Sequence, residues 1–396
     1  MSRGRSLQIA CIRIGLTALV ASGCGVGLSA LDGAVPQTPT SLPAAFVVRD
    51  VRLPNGSFQA QVRAPGEAKA AGTKFVIGVG KRSISCEVFD EPWSLATKLD
   101  AATRMLRARG DVAVIRTAAR LGNSGRPYLV AEVLYGPKDD PKGIAQLGIF
   151  GSAEGTVSCS TEGPGRVAEL FAMIEDLSES QGWNGESSRE KPLYAETNTV
   201  FLGDVPVGFE YRYLRRAGAK GGLSWFKVRG LAGRVGEAGL TTIDDVTIER
   251  LDEERNVREL HVMLKNDGTP VYDLTVQRQP DGALVARGIL SGQTVSRELA
   301  VDKPIASDLS LAPLFQSLSE GKVARVSARR VHIEGTSVTL SDQEFVRATK
   351  GRLRGPGGHL FHVDERGFII TIEEDAAGEV SPFRVERSRL HGAIPR

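Results

Sequence analysis

Few residues in this chain have both the type and the spacing that chemistry needs. His359 and His362 stand three apart. On a strand that spacing turns two rings to opposite faces, so the pair reads as a surface or turn feature and predicts no metal centre. His261, His332 and His391 fall on separate strand-like segments. Gly78-Val79-Gly80-Lys81-Arg82-Ser83 touches the phosphate-loop pattern, but Phe75 stands where its first glycine belongs and Arg82 where Ser or Thr belongs. Ser124 lies in Gly122-Asn123-Ser124-Gly125, not in a nucleophile elbow, and no histidine falls between residues 44 and 180 to act as its base. Asp139-Asp140 and Glu373-Glu374-Asp375 read as solvated loop charge, because the twelve-residue calcium loop is absent. The sequence therefore predicts no catalytic residue, no metal site and no cofactor.

The cysteines say more. Of the four, Cys24 follows Ala21-Ser22-Gly23, after a start carrying Arg3, Arg5 and Arg13 and a short apolar run from Ile14 to Val20. That is the layout of a secretory signal. Its apolar run is far below the roughly 20 residues a spanning helix needs. With a cysteine at its end, the segment resembles a bacterial lipoprotein signal. The resemblance implies cleavage before Cys24, lipidation of Cys24 and attachment to a membrane through acyl chains, each buried CH2 adding about 0.8 kcal/mol. Ala21 departs from the pattern, since such signals carry a large aliphatic residue there. Ala21-x-Gly23 also reads as an ordinary small-x-small cleavage site that leaves Cys24 a free thiol. Gly25 resembles an outer-membrane sorting residue. The expected location is the cell envelope, at the outer membrane facing the periplasm or at the cell surface.

Cys11 falls in the signal, so Cys86 and Cys159 remain. Two cysteines left over in an oxidising compartment predict one disulfide. Its long loop would contribute roughly 4 kcal/mol on the chain-entropy argument. A net charge of +3, with Lys and Arg interspersed among Asp and Glu, gives no basic stripe for nucleic acid.

The elements that must carry these residues separate into segments. Residues 1–23 read as signal and 24–43, rich in Gly, Pro, Ser and Thr, as a flexible tether. From 44 to 180 the text alternates strands with two amphipathic helices. One spans 93–109, beginning near Asp90 and Pro92 and ending at Gly110, with Leu95, Leu99, Ala102 and Leu106 on one face. The other carries Val167, Leu170, Phe171, Ile174 and Leu177. This predicts an α+β domain with an antiparallel sheet and two packed helices. In element order it resembles PsbP-type folds, many of which are accessory or assembly factors.

Residues 181–193 are polar and read as a linker. From 194 to 396 the text is mostly strand. Asp267-Gly268, Pro280-Asp281-Gly282 and Asp364-Glu365-Arg366-Gly367 mark hairpins. One helix is expected, with Leu311, Leu314, Phe315 and Leu318 at helical spacing. The prediction is a mostly antiparallel β domain, a curved sheet or half-barrel with one helix. Phe201-x-Gly203-x-x-x-x-Gly208 and the closing Val363-Asp364-Glu365-Arg366-Gly367-Phe368 segment resemble the β-domain that precedes transglutaminase-like cores. The architecture is also similar to LolA-like carriers. No cysteine follows residue 159, so the transglutaminase chemistry itself is absent.

Two surfaces remain. Phe209, Tyr211 and Tyr213 share one strand face, and with Tyr272 and Leu274 they are the residues expected to line a ligand site. Arg325, Arg329, Arg330, Arg347, Lys350, Arg352 and Arg354 form a basic face if neighbouring strands align them, otherwise the charged solvent side of a sheet. The leading expectation is a non-enzymatic, lipid-anchored envelope protein that binds a protein partner or an apolar, acyl ligand through its curved sheet. The alternatives are a scaffold module without a small ligand, and an enzyme whose site joins distant residues such as His332 and an acid.

Overall fold

Alternating apolar text and helical apolar stripes both find their partners in the computed structural model. It describes residues 46–78, 83–137, 143–163, 167–184, 186–187, 192–202, 205–217, 222–234, 240–279, 281–300, 303–334, 336–373 and 383–394. The expected signal, Cys24 and the expected tether to residue 43 lie outside the described residues, as do Lys81, Arg82, Asp139, Asp140, Gly203, Asp204, Pro280, Glu374 and Asp375. Among the described residues the architecture is mostly β with three helices. The described residues divide into two units, one within 46–198, 230–232 and 387–394, the other within 199–229 and 233–386.

In the first unit the strands are β1 (Val47–Arg52), β2 (Phe58–Ala64), β3 (Ala68–Ala71), β4 (Lys74–Ile77), β5 (Ile84–Phe89), β6 (Asp111–Leu121), β7 (Pro127–Gly136), β8 (Gly143–Gly151), β9 (Thr156–Glu162), β10 (Gly182–Trp183) and β11 (Glu186–Ser187). They make a four-stranded sheet, β1-β2-β10-β11, and a seven-stranded one, β3-β4-β5-β9-β8-β7-β6. Helices α1 (Leu95–Arg107) and α2 (Val167–Ser180) fall within the expected spans. Helix α1 starts later than Asp90 and Pro92 suggest. Trp93 takes a left-handed φ of 49° and is buried, and Ser94 is the N-cap. Leu170, Phe171, Ile174 and Leu177 of α2 pack with Phe58, Val62, Phe75, Phe150 and Val157 in one apolar core. Gly148 lies beneath that helix, where a Cβ would collide with Ile174.

The expected linker begins as structure. Gly182 and Trp183 pair with Gln59 and Phe58 of β2. The Trp183 ring meets Phe58 edge-on at 5.1 Å. Its polar neighbours hide an aromatic that belongs to the core. The two compact units divide after residue 198, and residues 387–394 group with the first.

Most of a fourteen-stranded sheet lies in the second unit. Its strands are β12 (Tyr194–Leu202), β13 (Val205–Ala217), β14 (Gly222–Arg234), β15 (Leu240–Leu251), β16 (Val257–Asn266), β17 (Thr269–Arg278), β18 (Leu284–Leu290), β19 (Gln293–Leu299), β20 (Arg325–Glu334), β21 (Ser337–Thr349), β22 (Arg352–Arg354), β23 (Leu360–Val363), β24 (Ile369–Glu373) and β25 (Phe383–Gly392). The order is β19-β18-β17-β16-β15-β14-β13-β12-β25-β24-β23-β22-β21-β20. The turn at Asp267-Gly268 places both residues at positive φ, 50° and 76°, as a tight hairpin between β16 and β17 requires.

This sheet curls, and one short segment records it. Ala306 N–H donates to Arg329 O of β20, while Val257 N–H of β16 donates to Ile305 O, both at 2.9 Å. Strands far apart in the sheet order are thus bridged by neighbouring residues of one connector. Helix α3 (Asp308–Ser319) follows directly, capped by Ser307, whose side chain accepts from Ser310 N–H while Ser310 returns the bond. Leu311, Phe315 and Leu318 pack on Val326, Ala328, Phe345, Leu353 and Val363. Leu314 departs from the expected stripe and is 45% exposed, with Leu309 buried instead. Pro313 lies inside the helix and cannot donate to the preceding turn, which the spacing rule alone ignores.

Candidate functional site

Strand β13 is buried on both faces. Its odd face holds Phe209, Tyr211 and Tyr213, its even face Glu210, Arg212 and Leu214, and all six are no more than 7% exposed. The aromatic face is packed. Tyr213 stacks on Phe226 at 4.3 Å, and Phe209 meets Tyr211 at 5.2 Å. The even face gathers charge. Glu210 is bonded through one carboxylate oxygen to Arg212 and through the other to Arg229 of β14.

A second knot lies at the start of α3. Asp308 accepts from Arg330 of β20 at 2.7 Å, and its other oxygen is 4.0 Å from the Lys227 ammonium of β14. The Asp308 backbone N–H points at the Glu249 carboxyl of β15, at 3.2 and 3.4 Å. Strands β15 and β20 have β14, β13, β12, β25, β24, β23, β22 and β21 between them in the sheet. Both reach the same helix terminus, so these charges sit on the inside of the curl. The helix dipole favours a carboxylate at that end.

Environment drives the acids apart. Burial pushes the Glu249 carboxyl up, the charge of Asp308 pushes it further, and it reaches about 8. Burial would raise Asp308 too, but Arg330 and Lys227 outweigh it and hold Asp308 well below the usual carboxylate range. Burial likewise opposes the ionisation of Glu210, yet Arg212, Arg229 and Lys227 together bring it down to about 2. Asp245 of β15 is raised, by burial first, with Arg229 and Lys227 offsetting part of the effect. The cluster is not sealed. Side-chain exposure is 28% at Lys227, 26% at Arg330, 21% at Asp308 and 17% at Arg229.

An apolar wall continues from this cluster. Asp245 stands opposite Leu264 and Leu264 opposite Tyr272, while Val262 is opposite Leu274. Cross-strand partners share a face. Tyr272 and Leu274 therefore lie on the side of Asp245 and Glu249. The five residues expected to line one ligand site thus separate, because Phe209, Tyr211 and Tyr213 occupy the face of β13 turned away from Glu210. All five are buried, Tyr211 and Leu274 completely.

Other expected features fall out differently. Cys86 and Cys159 form the predicted disulfide, directly paired between β5 and β9 and buried in the first core. The basic face assembles in part, since Arg325 and Arg354 both stand opposite Val346 and Arg329 and Arg352 lie on the same side, but acids are interleaved with it. Arg329 pairs with Asp342 at 2.8 Å and Arg325 with Glu344 at 3.3 Å, whereas Arg330 turns inward to Asp308. Adjacent residues of a strand point to opposite faces, so Arg329 and Arg330 cannot share one. His261 bonds Asp273 at 2.7 Å on the two paired strands β16 and β17. Among the described residues, no group of three or more His, Cys, Asp and Glu is placed to hold a metal ion, and no helix is long and apolar enough to cross a membrane.

The interior charges escaped sequence reasoning. Glu210 and Arg212 alternate with aromatics, a pattern that reads as the wet side of a strand. Only the curl of the sheet brings Glu249 and Arg330 together.

No family model and no curated protein matches the chain. Among solved structures it is similar to a β-barrel-like protein of domain of unknown function DUF1849 from Brucella abortus. The identity is 12% and the TM-score 0.35, over 50% of this chain and 97% of that one. It is also similar to a DUF1089 family protein from Pseudomonas aeruginosa, at 14% identity and a TM-score of 0.21, over 44% of this chain and 88% of that one. The resemblances to PsbP-type folds, LolA-like carriers and the β-domain preceding transglutaminase-like cores rest on sequence features alone.

Proposed function

We propose that the chain is a non-enzymatic envelope protein, anchored through lipid on Cys24, that binds a ligand within the curved sheet of its second unit. One observation carries the reading. The charged cluster around Lys227, Asp308 and Arg330 keeps about a quarter of its side-chain surface open inside the curl. A network serving stability alone gains little from that, since buried ion pairs are weak stabilisers compared with apolar packing. The packed state of Phe209, Tyr211 and Tyr213 moves the recognition element from the aromatic face to the charged one. The first unit, stapled by its disulfide, serves as a rigid support beside the tether.

Native material extracted from its own membranes tests this by mass spectrometry. A stoichiometric ligand released from the folded chain is the expected result. A chain with no bound ligand would favour a scaffold module instead. Palmitate labelling should be lost in Cys24→Ser, and labelling that persists would end the anchoring part.

A further inference from the structure

The turn Leu53-Pro54-Asn55-Gly56 joins β1 to β2 in the first unit, and it sets a carboxamide beside the amide nitrogen of a glycine. An asparagine followed by glycine is open to attack on its own side chain, because glycine has no Cβ to shield that nitrogen. In the reaction the Gly56 nitrogen gives its proton to hydroxide or a buffer base and bonds to Asn55 Cγ. The bond from Cγ to Nδ2 breaks, and ammonia leaves with a proton drawn from water. Water then opens the cyclic imide at either carbonyl. The product is Asp or isoAsp, the latter with its main chain running through Cβ and Cγ.

Burial does not stop this reaction here. Asn55 is exposed, and a Cβ added at Gly56 would meet nothing within 4 Å. Hydrogen bonding stops it instead. Gly56 N–H donates to Leu53 O at 3.0 Å, which holds the proton that must leave first. Asn55 Oδ1 accepts from the Ser57 backbone N–H at 3.1 Å and from the Ser57 hydroxyl at 2.9 Å, which fixes the carboxamide. Those donors also polarise Cγ, but that helps only a nitrogen already stripped of its proton. The turn is itself held from both sides. Leu53 N–H donates to Phe58 O, and Asn184 N–H, just after β10, donates to Ser57 O, both at 3.0 Å. Phe58 is buried against Phe75 and Trp183.

We propose that Asn55 is a latent self-modification site: the native turn blocks formation of the cyclic imide, and opening of the β1–β2 hairpin releases it. The site belongs to the first unit and stands whatever the second unit binds. Deamidation puts a negative charge at the tip of the hairpin. As isoAsp it also lengthens the backbone between Leu53 and Phe58, so the closing bonds lose their register. An excursion from the native state is then recorded permanently in the chain.

Peptide mapping by mass spectrometry tests this on the full chain, held at mildly alkaline pH in buffer and in urea with the disulfide intact. The mapping distinguishes Asn55 from Asn184, the other asparagine that glycine follows. Asn55 should deamidate about tenfold or more faster in urea than in the native chain, the scale of one net hydrogen bond. Ser57→Ala should raise the native rate about threefold or more and leave the rate in urea unchanged. Circular dichroism checks that parent and variant are both folded in buffer and both unfolded in urea. Equal rates in buffer and urea overturn the proposal, as does a native rate unmoved by Ser57→Ala. A native rate faster than the unfolded one also overturns it, and makes the turn an activator.

Discussion

The two units of this chain place their buried charge differently: the first buries Lys98, Asp100, Arg120 and Arg126 beside its apolar core, while the second gathers Glu210, Arg212 and Arg229 into one knot and Glu249, Asp308 and Arg330 into another. The first closes two sheets and two helices over Phe58, Phe75, Phe150, Ile174 and Leu177, and a disulfide between two buried strands runs through that core. Its most evident ion pair, Arg63 with Asp176, lies at the surface, with the Arg63 side chain 51% exposed. The second wraps its sheet round a helix terminus and keeps Glu210, Arg212, Glu249, Asp308 and Arg330 inside. Apolar burial is non-directional and stabilises in proportion to area, about 25 cal/mol per Å2. Buried charge is costly unless each group is matched, and it confers selectivity more than stability.

Breaking the second pattern should give the largest effect. Glu210→Leu strands Arg212 and Arg229 without their shared acid, and urea unfolding of the second unit should show a loss of about 3–5 kcal/mol. A loss below about 1 kcal/mol would mean that the network is solvated and that the contrast between the units is false. In the first unit, reduction of Cys86–Cys159, which are 73 residues apart, should cost about 4 kcal/mol on the loop-entropy argument. That loss should leave the unfolding of the second unit unchanged.

Proton linkage sharpens the comparison at a smaller scale. The folded value of Glu249 lies above its ordinary 4.5, at about 8, so its contribution is complete below 4.5 and is lost as pH rises toward 8. The folded value of Glu210 lies below 4.5, at about 2, so its contribution is present above 4.5 and is lost as pH falls through that range. Glu249→Gln should therefore remove up to about 1.4 kcal/mol per pH unit of the stability slope across the upper window. Thermal melts from pH 5 to 8 measure it, and an unchanged slope would place Glu249 among ordinary carboxylates. The smallest effect is expected at Arg63→Ala in the first unit, within about 1 kcal/mol because the pair is exposed, and high salt should erase most of it.

What the sequence makes legible follows from how local each signal is. Helix α2 is readable because Val167, Leu170, Phe171, Ile174 and Leu177 repeat at the helical period within one short stretch. The disulfide is readable by elimination, since only Cys86 and Cys159 remain once Cys11 and Cys24 are set aside as part of an expected signal. Hairpins at Asp267-Gly268 and Asp364–Gly367 announce themselves through turn residues; at the latter, Asp364 accepts from Arg366 and Phe368 N–H. Leu314 misleads because it lies at the edge of the apolar stripe, whose buried side runs through Leu311, Ala312, Phe315 and Leu318. The interior cluster is illegible for a deeper reason. Glu249 and Arg330 belong to strands that approach only after the sheet has curled, and no local pattern encodes that closure. Trp183 fails more simply, as a core aromatic set in polar text.

The most direct test follows the Glu249 carboxyl itself. In protein carrying 13C-labelled glutamate side chains, with Glu249→Gln assigning the signal, the carboxyl should titrate near 8. A carboxyl that titrates near the ordinary 4.5 would contradict the account.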